Sequence, residues 1–600
     1  MGPAEPDHAV EAAAVNGRWR SYLLAVAAIV AVAAASWGVL RVRKIRLLHA
    51  AAPDTPAQAG RLPAEFGRRF AAARAEALGW RNSAAGLAAL GRLCTANGFA
   101  AEAASAWAAL AAVEPGEAQW SYFLADARLQ LGDDPGGLAA LQRTVRLAPN
   151  YAPAWLRLAE HELKSGHADA ARVAYQRRLE LVPGDAYARV GLARVDRQAG
   201  RKAQAIAALR SLAAEHVDFS PGQNLLAAML REAGDTEGAE RHQLLGSAAK
   251  RFTEAPDAWL EELRADCYDA ARWIVWGSVN LYAGQAEDAR RCFERAVELA
   301  PQKSEGHEML GTALRELHQG AAAEAALRRA VGCDDATDST WLRLGRAEEA
   351  LGDYAVALQV ADEGRQHFPR SALLQNLTGS LQAQVGNVAA AVAAFQAALD
   401  LNPQIAEPAL NRANLYVQQG RIDLARADLN EALKRQPESP PAMLLLASIE
   451  IEAGELDTAR ARLDPLQRDY PNLTRLPVVF SAWYVQSMLA AMRRAEPARA
   501  VDLGRDATSR WPDNAQLHGL LGTILAQLGR ADEAIAELET SRKLAGADPR
   551  TVMPLVQVYL GLHQPAKARQ VLVEAQAAAS ARGDTAVAER FAAMLQRLPP

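Results

Sequence analysis

A pattern that repeats every 34 residues constrains the fold of this chain more than any other feature. Residues 284–302, GQAEDARRCFERAVELAPQ, show its core: Gly, Ala, Phe, Ala and Pro at fixed intervals. The surrounding unit, residues 270–303, recurs along the chain. Numbered from Ala270 as position 1, position 20 is alanine in thirteen of fourteen units and glycine in the other. Such self-similarity indicates stacked supersecondary units rather than one compact core.

The fourteen units form three runs without internal gaps. Residues 84–253 hold five units, residues 270–473 hold six and residues 481–582 hold three. Insertions at 254–269 and 474–480 separate the runs.

Each preferred position has a physical reason. Positions 4, 7, 8 and 11 lie on one face of a first helix, and positions 20, 24 and 27 form a stripe on a second. Glycine, found at position 15 in eleven units, ends the first helix because it tolerates a positive φ. Small residues at positions 8 and 20 let the two helix axes approach closely. Proline, found at position 32 in nine units, ends the second helix.

The period and these positions resemble the tetratricopeptide repeat family over residues 84–582, except that position 11 is mixed in character. The resemblance implies an all-α fold: a right-handed α-solenoid of about fourteen 34-residue helix-turn-helix repeats, with first helices on the concave face. End repeats of a solenoid expose an apolar face unless they are covered. We therefore expect a leading helix in 62–83 and a capping helix in 583–600, whose start Asp584 can cap.

The N-terminal region predicts one transmembrane helix. Residues 21–40 carry no charge and match the thickness of a bilayer's hydrocarbon core. A cleaved signal peptide and a buried soluble helix are the alternatives. Residues 1–20 are expected to be a tail, and 41–61, with Pro53 and Pro56, a tether. Four basic residues follow the helix and two precede it, which favours a cytoplasmic body slightly.

The sequence offers no motif of catalysis or cofactor binding. It lacks a GxSxG elbow, an HExxH pair, a phosphate loop and a dinucleotide fingerprint. The net charge of −4 gives no basic excess for nucleic acid. The four cysteines are far apart, without the spacing of a disulfide framework or a zinc site. We therefore predict a protein that is not an enzyme and has no cofactor, no metal, no nucleic-acid partner and no small-molecule substrate.

The insertion at 254–269, EAPDAWLEELRADCYD, is acidic, with six carboxylates against one arginine. Trp259, Leu260 and Leu263 form an apolar stripe, so part of the insertion is expected to be a packing helix between two arms of the array. An acidic docking or metal-binding spur, with Asp266, Cys267 and Asp269 as ligands, is the alternative.

A partner segment is expected on the first helices, near positions 2, 5, 6, 9 and 12. Position 6 is mostly apolar, so neither the carboxylate grip nor the asparagine ladder of some tetratricopeptide proteins is present. The strongest polar group combines Arg343 and Arg346 with Asn411 and Asn414, whose side chains can hydrogen-bond a bound segment.

These features predict a membrane-anchored scaffold that binds proteins or peptides in a groove, in a bacterial inner membrane. An accessory subunit of an enzyme complex, for example in the envelope or in polysaccharide export, is the alternative. An enzyme that uses the acidic insertion is a third reading.

Overall fold

A computed structural model describes residues 8–248, 255–470 and 473–598. Within these ranges the chain is helical and contains no β-strand. It divides into two units, residues 1–347 and 348–600.

Seventeen helices and two short 3-10 helices lie in the described part of the first unit. The 3-10 helices are Ala57–Arg61 and Arg264–Asp266. The α-helices are α1 (His8–Ala51), α2 (Ala64–Ala77), α3 (Ser83–Ala96), α4 (Ala100–Val113), α5 (Ala118–Gln130), α6 (Asp134–Leu147), α7 (Ala152–Lys164), α8 (Ala168–Leu181), α9 (Ala186–Gln198), α10 (Lys202–Glu215), α11 (Ser220–Glu232), α12 (Thr236–Ala248), α13 (Ala258–Leu263), α14 (Ala270–Tyr282), α15 (Ala286–Leu299), α16 (Ser304–Glu316) and α17 (Gly320–Val331).

Helix α18 (Asp338–Leu351) crosses the division, and fourteen helices follow it in the described residues. They are α19 (Tyr354–His367), α20 (Ala372–Gln384), α21 (Val388–Leu401), α22 (Glu407–Gln418), α23 (Ile422–Arg435), α24 (Pro440–Glu452), α25 (Leu456–Asp469), α26 (Leu476–Arg493), α27 (Pro497–Arg510), α28 (Ala515–Gln527), α29 (Ala531–Ala545), α30 (Pro549–Gly561), α31 (Pro565–Ala581) and α32 (Thr585–Arg597).

The predicted all-α repeat fold is confirmed. Helices α3–α12, α14–α17 and α20–α31 pair into thirteen hairpins, each matching one 34-residue unit, and α18 and α19 are the two helices of the remaining unit. The close approach within each hairpin depends on the small residues. A Cβ atom built on Gly277, at position 8, would lie 2.5 Å from the ring of Phe293, at position 24 of the same unit. The thirteen alanines at position 20 are at most 2% exposed, so a larger side chain there would force the helices apart.

Position 15 keeps one backbone conformation even where its residue type changes. The eleven glycines have φ between 71° and 86°. The other three units carry His318, Ala495 and His563, whose φ values are 59°, 59° and 56°. The hairpin geometry therefore imposes the left-handed turn, and glycine is the residue that adopts it with least strain.

The segment predicted as a tether is largely folded. Helix α1 continues without interruption to Ala51 and packs against α3 and α4, with Leu48 only 4% exposed. Beyond it, the guanidinium of Arg74 pairs with Asp54 at 2.5 Å. Ile45 and Leu48, which lie on one side of the helix and are buried, account for this packing ahead of prolines 53 and 56.

Both ends of the array carry an additional helix. Helix α2 buries Phe66 and Phe70 against the first hairpin. Helix α32 buries Phe591, and the side chain of Asp584 accepts a hydrogen bond from the Val587 amide at 3.1 Å. The insertion at 474–480 contributes the first turns of α26, which has 18 residues.

The apolar part of α1, Val26–Ala51, is long and apolar enough to cross a membrane. Its Ile29, Val32 and Val39 are each more than 60% exposed. A signal sequence near an N-terminus passes the same test of length and apolarity.

Candidate functional site

An open cavity of about 560 Å³ lies on the first-helix face of the first unit, in repeats 3 to 5. Most of its walls come from helices α7 and α9 and the start of α11, and Tyr175 of α8 and Asp126 of α5 also line it. The walls carry the groove positions 2, 5, 6 and 9 that the sequence predicted, together with neighbouring side chains: Pro153, Leu156, Arg157, Glu160, His161, Tyr187, Val190, Gly191, Arg194 and Pro221. We refer to this region as the open groove.

A buried cation lies at one end of the open groove. The Nη2 of Arg157 donates to a carboxylate oxygen of Asp126 at 2.5 Å, and its guanidinium lies 5.2 Å from the centre of the Tyr122 ring. Burial opposes the charge, but Tyr122 and Asp126 outweigh this effect and raise the pKa of Arg157. The Nη1 atom of the same guanidinium is buried and has no hydrogen-bond partner within the described residues. An acceptor on a bound segment would satisfy it.

Two further basic side chains line the open groove. Arg194 is exposed, and no acidic partner for it lies within the ranges that the structure covers. Burial, followed by the charges of Arg157 and Lys164, lowers the pKa of His161. The imidazole is therefore mainly neutral near pH 7. Together with Leu156 and Tyr187, and with the carboxylates of Asp126, Glu160 and Asp257 that also line the cavity, these groups give a surface that suits a segment with both apolar and polar groups.

The chain's own insertion fills the neighbouring part of the same face, in repeats 1 and 2. Asp257 accepts hydrogen bonds from the hydroxyls of Tyr122 and Tyr151, the latter at 2.6 Å. The ring of Trp259 stacks on Tyr151, with centroids 3.6 Å apart and planes within 11° of parallel. The Tyr151 oxygen also accepts from the Trp259 amide at 3.0 Å. We refer to this region as the filled groove.

Asn97 binds the backbone of the insertion from a fully buried position. Its side-chain Nδ2 donates to the backbone carbonyl of Asp266 at 2.8 Å, and its side-chain Oδ1 accepts from the backbone amide of Tyr268 at 2.7 Å. Arg92, at position 9 of repeat 1, donates to the Asp266 carboxylate at 2.8 Å and to the Glu262 carbonyl at 3.1 Å. Arg69 donates to the hydroxyl of Tyr268 at 2.8 Å. These bonds hold both the backbone and the side chains of the insertion.

The same contacts argue against the metal-ligand alternative. The Asp266 carboxylate is engaged by Arg92 and Arg69, and that of Asp269 by Arg61 and the Ala271 amide. Burial raises the pKa of Cys267 to about 11, which keeps its thiol protonated. No group of three potential metal ligands occurs in the described part of the chain. Glu254, the first carboxylate of the insertion, lies outside the described residues.

The predicted binding residues have partners inside the protein. The guanidinium of Arg343 forms a salt bridge with Glu308 at 3.3 Å. Arg346 also interacts with another residue of the protein. Asn411 donates to the side-chain oxygen of Asn376 at 3.1 Å, and Asn414 donates to the Leu410 carbonyl of its own helix. The arginines belong to the first unit and the asparagines to the second. Their joint role in binding stays a prediction.

Sequence reasoning missed the side chains that define both grooves. Arg157 occupies position 6 of repeat 3, where most repeats have an apolar residue. Tyr122 and Arg92 occupy positions 5 and 9 of repeats 2 and 1. A search for departures from the repeat average at position 6 would have identified Arg157. Contacts with the insertion, 135 to 174 residues away, leave no local signal.

Comparisons with known proteins agree with this architecture. One family model, described as tetratricopeptide repeat, matches residues 88–152, 274–338, 342–404 and 410–473. A second, with the same description, matches residues 162–229 and 491–550. Together the matched stretches cover more than half of the chain. No curated protein matches it.

Several solved structures are similar to parts of the chain. Pseudomonas aeruginosa PilF is 21% identical, covering 35% of this chain and 96% of its own, with a TM-score of 0.30. A thermophilic TPR protein of Thermus thermophilus is 26% identical over 30% of this chain and 98% of its own, with a TM-score of 0.26. Yeast Tom70 is 15% identical over 80% of this chain and 95% of its own, with a TM-score of 0.28.

Proposed function

Because the chain belongs to the tetratricopeptide repeat family, we propose that it is a non-catalytic scaffold that binds a segment of a partner protein in the open groove. The observation that supports this proposal most strongly is the cavity of about 560 Å³ on the first-helix positions. It combines apolar walls with Arg157, whose Nη1 has no partner in the described structure, and the exposed Arg194. Such a mixture suits an extended or helical segment better than a single small metabolite.

We further propose that α1 anchors the scaffold in a bacterial inner membrane. The exposed apolar side chains between Val26 and Leu40 support this, and so does the group of four basic residues that follows them. That group favours a cytoplasmic body. Since α1 packs against α3 and α4, the helix would hold the first repeats close to the bilayer rather than on a long tether. Reporters fused after Pro600, one active only outside and one only inside the cytoplasm, test this orientation.

Site-specific photo-crosslinking in cells tests the open groove. A photoreactive residue replaces Arg194 in one variant and Arg92 in a matched one, since both occupy position 9 and only Arg194 faces the open groove. We expect one defined protein adduct from position 194 and a much weaker one from position 92, which the insertion covers unless a partner displaces it. The adduct should disappear when Leu156→Arg is added, because that change blocks the cavity. Equal adducts at both positions, or an adduct unaffected by Leu156→Arg, would contradict the proposal.

Identification of the adduct by mass spectrometry also addresses the alternative role. A partner that is a subunit of an envelope enzyme would place the scaffold as an accessory subunit of that enzyme. Arg343, Arg346, Asn411 and Asn414 are proposed as further contacts. Their exchange to alanine should weaken binding less than Leu156→Arg, because each already has a partner within the protein.

A further inference from the structure

The contacts of the insertion are those of a bound peptide rather than those of a repeat helix. Its only helical parts in the described residues are the six residues of α13 and a short 3-10 turn. Its backbone is bound by side chains: Asn97 holds a carbonyl and an amide, and Arg92 holds a second carbonyl. Side-chain recognition of a backbone leaves the identity of the bound residues partly free, which is typical of peptide recognition.

Two side chains of the insertion supply specificity. The carboxylate of Asp257 accepts hydrogen bonds from the phenol hydroxyls of Tyr122 and Tyr151. Trp259, two residues later, lies flat on Tyr151 and meets Tyr122 edge-on at 5.4 Å. The groove therefore recognises a carboxylate that is followed, two residues on, by an aromatic ring.

The filled and open grooves are parts of one surface. Ala255, Asp257 and Leu260 of the insertion line the open cavity together with Asp126 and Arg157. A segment bound in the open groove would therefore contact the start of the insertion directly. If that segment continues toward repeat 2, it must take the place of Asp257 between the two tyrosines.

We propose that residues 255–269 are an internal ligand of the groove in repeats 1 and 2, displaced by a partner segment that carries the same carboxylate and aromatic pair. This inference rests on the proposed scaffold function and names the chemistry of the partner segment. The insertion then determines how far a partner segment extends along the face. A segment without the carboxylate and aromatic pair binds only in the open groove. A segment with the pair displaces the insertion and extends into the filled groove.

The test uses the full chain in detergent and a fluorescent synthetic peptide of residues 255–269 that carries Cys267→Ser. In the first variant, Asp257→Ala and Trp259→Ala weaken the internal ligand. In the second, a Gly-Ser linker of equal length replaces residues 257–266. We expect both variants to bind the peptide at least ten-fold more tightly than the wild-type chain, in which the site is occupied.

Two controls establish the chemistry. Adding Tyr122→Phe and Tyr151→Phe to the first variant should remove most of the gain, because the phenol donors are lost while the rings remain. A peptide with Asp257→Asn and Trp259→Ala should bind the first variant at least ten-fold more weakly than the parent peptide.

A folded variant that gains no peptide binding would overturn the inference, since the insertion would then be a permanent part of the structure. Folding is judged by helical circular dichroism and by slow amide exchange in α3 and α5. Crosslinking from position 194 is measured separately. Adducts there without a gain in peptide binding refute only the internal ligand, whereas a gain without adducts refutes only the partner in the open groove.

Discussion

The filled and open grooves are built on the same helix face of neighbouring repeats, yet they differ in what covers them. In repeats 1 and 2, Arg92, Asn97 and Tyr122 bind the chain's own insertion. In repeats 3 and 4, Arg157 and Arg194 line an open cavity. The residues that fix the hairpins, at positions 8, 20 and 24, serve the same purpose in both. Recognition in these repeats therefore comes mainly from positions 5, 6 and 9, to which the filled groove adds Asn97 at position 14 and Tyr151 at position 34.

The largest expected effect comes from Asn97→Ala. It leaves the Asp266 carbonyl and the Tyr268 amide without their partner in a buried site, which costs about 3 kcal/mol. Urea unfolding of the full chain measures the loss of stability. The control, Gln198→Ala, removes an exposed side chain of helix α9 and should change stability by less than about 0.5 kcal/mol. Equal losses of stability from the two changes would mean that the contacts of Asn97 with the insertion contribute no more to stability than an exposed side chain does.

Two tyrosines, one in each groove, allow a smaller loss of stability to be compared between the grooves. Tyr151→Phe removes the hydroxyl that binds Asp257 and the Trp259 amide, and should cost about 1–2 kcal/mol. Tyr175→Phe, on the wall of the open groove, should cost less than about 0.5 kcal/mol, because no hydrogen bond of its hydroxyl occurs among the described residues. The free energy of unfolding of each variant measures the difference. A larger loss for Tyr175→Phe would reverse the comparison.

Position 15 provides a reference that is independent of the grooves. Ala495→Gly relieves a positive φ of 59° and should stabilise the chain by about 1 kcal/mol. The matched change Gly454→Ala imposes the same strain, at φ 79°, and should destabilise by a similar amount. Thermal unfolding of both variants measures how much the left-handed turn at position 15 contributes to stability. If Ala495→Gly were destabilising, the strain at this position would be negligible.

The smallest effect concerns the pH dependence of the open groove. Burial, Arg157 and Lys164 lower the folded-state pKa of His161 below its unfolded value of about 6.5. The unfolded state therefore binds a proton first, and stability falls as the pH drops below about 6.5 toward the folded-state pKa. His161→Gln should remove this part of the acid sensitivity, measured as unfolding free energy between about pH 7.5 and pH 5. An unchanged pH profile would show that His161 is not desolvated.

The sequence predicted the frame of the fold because each position of the repeat has a local cause. The pairing of Gly277 with Phe293 follows from spacing alone. His318 and His563 show the limit of residue type, since the turn keeps its positive φ without glycine. The binding residues are harder to predict. Asn97 and Arg92 are ordinary residues of repeat 1 until the insertion, 169 and 170 residues later, folds onto them.

Hydrogen–deuterium exchange of the full chain tests whether the insertion occupies the groove of repeats 1 and 2. The Trp259 amide donates to the Tyr151 oxygen and the Tyr268 amide to Asn97. We predict that the amides of 259–268 exchange as slowly as those of the neighbouring helices α3 and α5, and that Asn97→Ala accelerates the amide of Tyr268 selectively. Exchange of this segment within seconds in the wild-type chain would show that the groove is unoccupied and that the insertion is not its ligand.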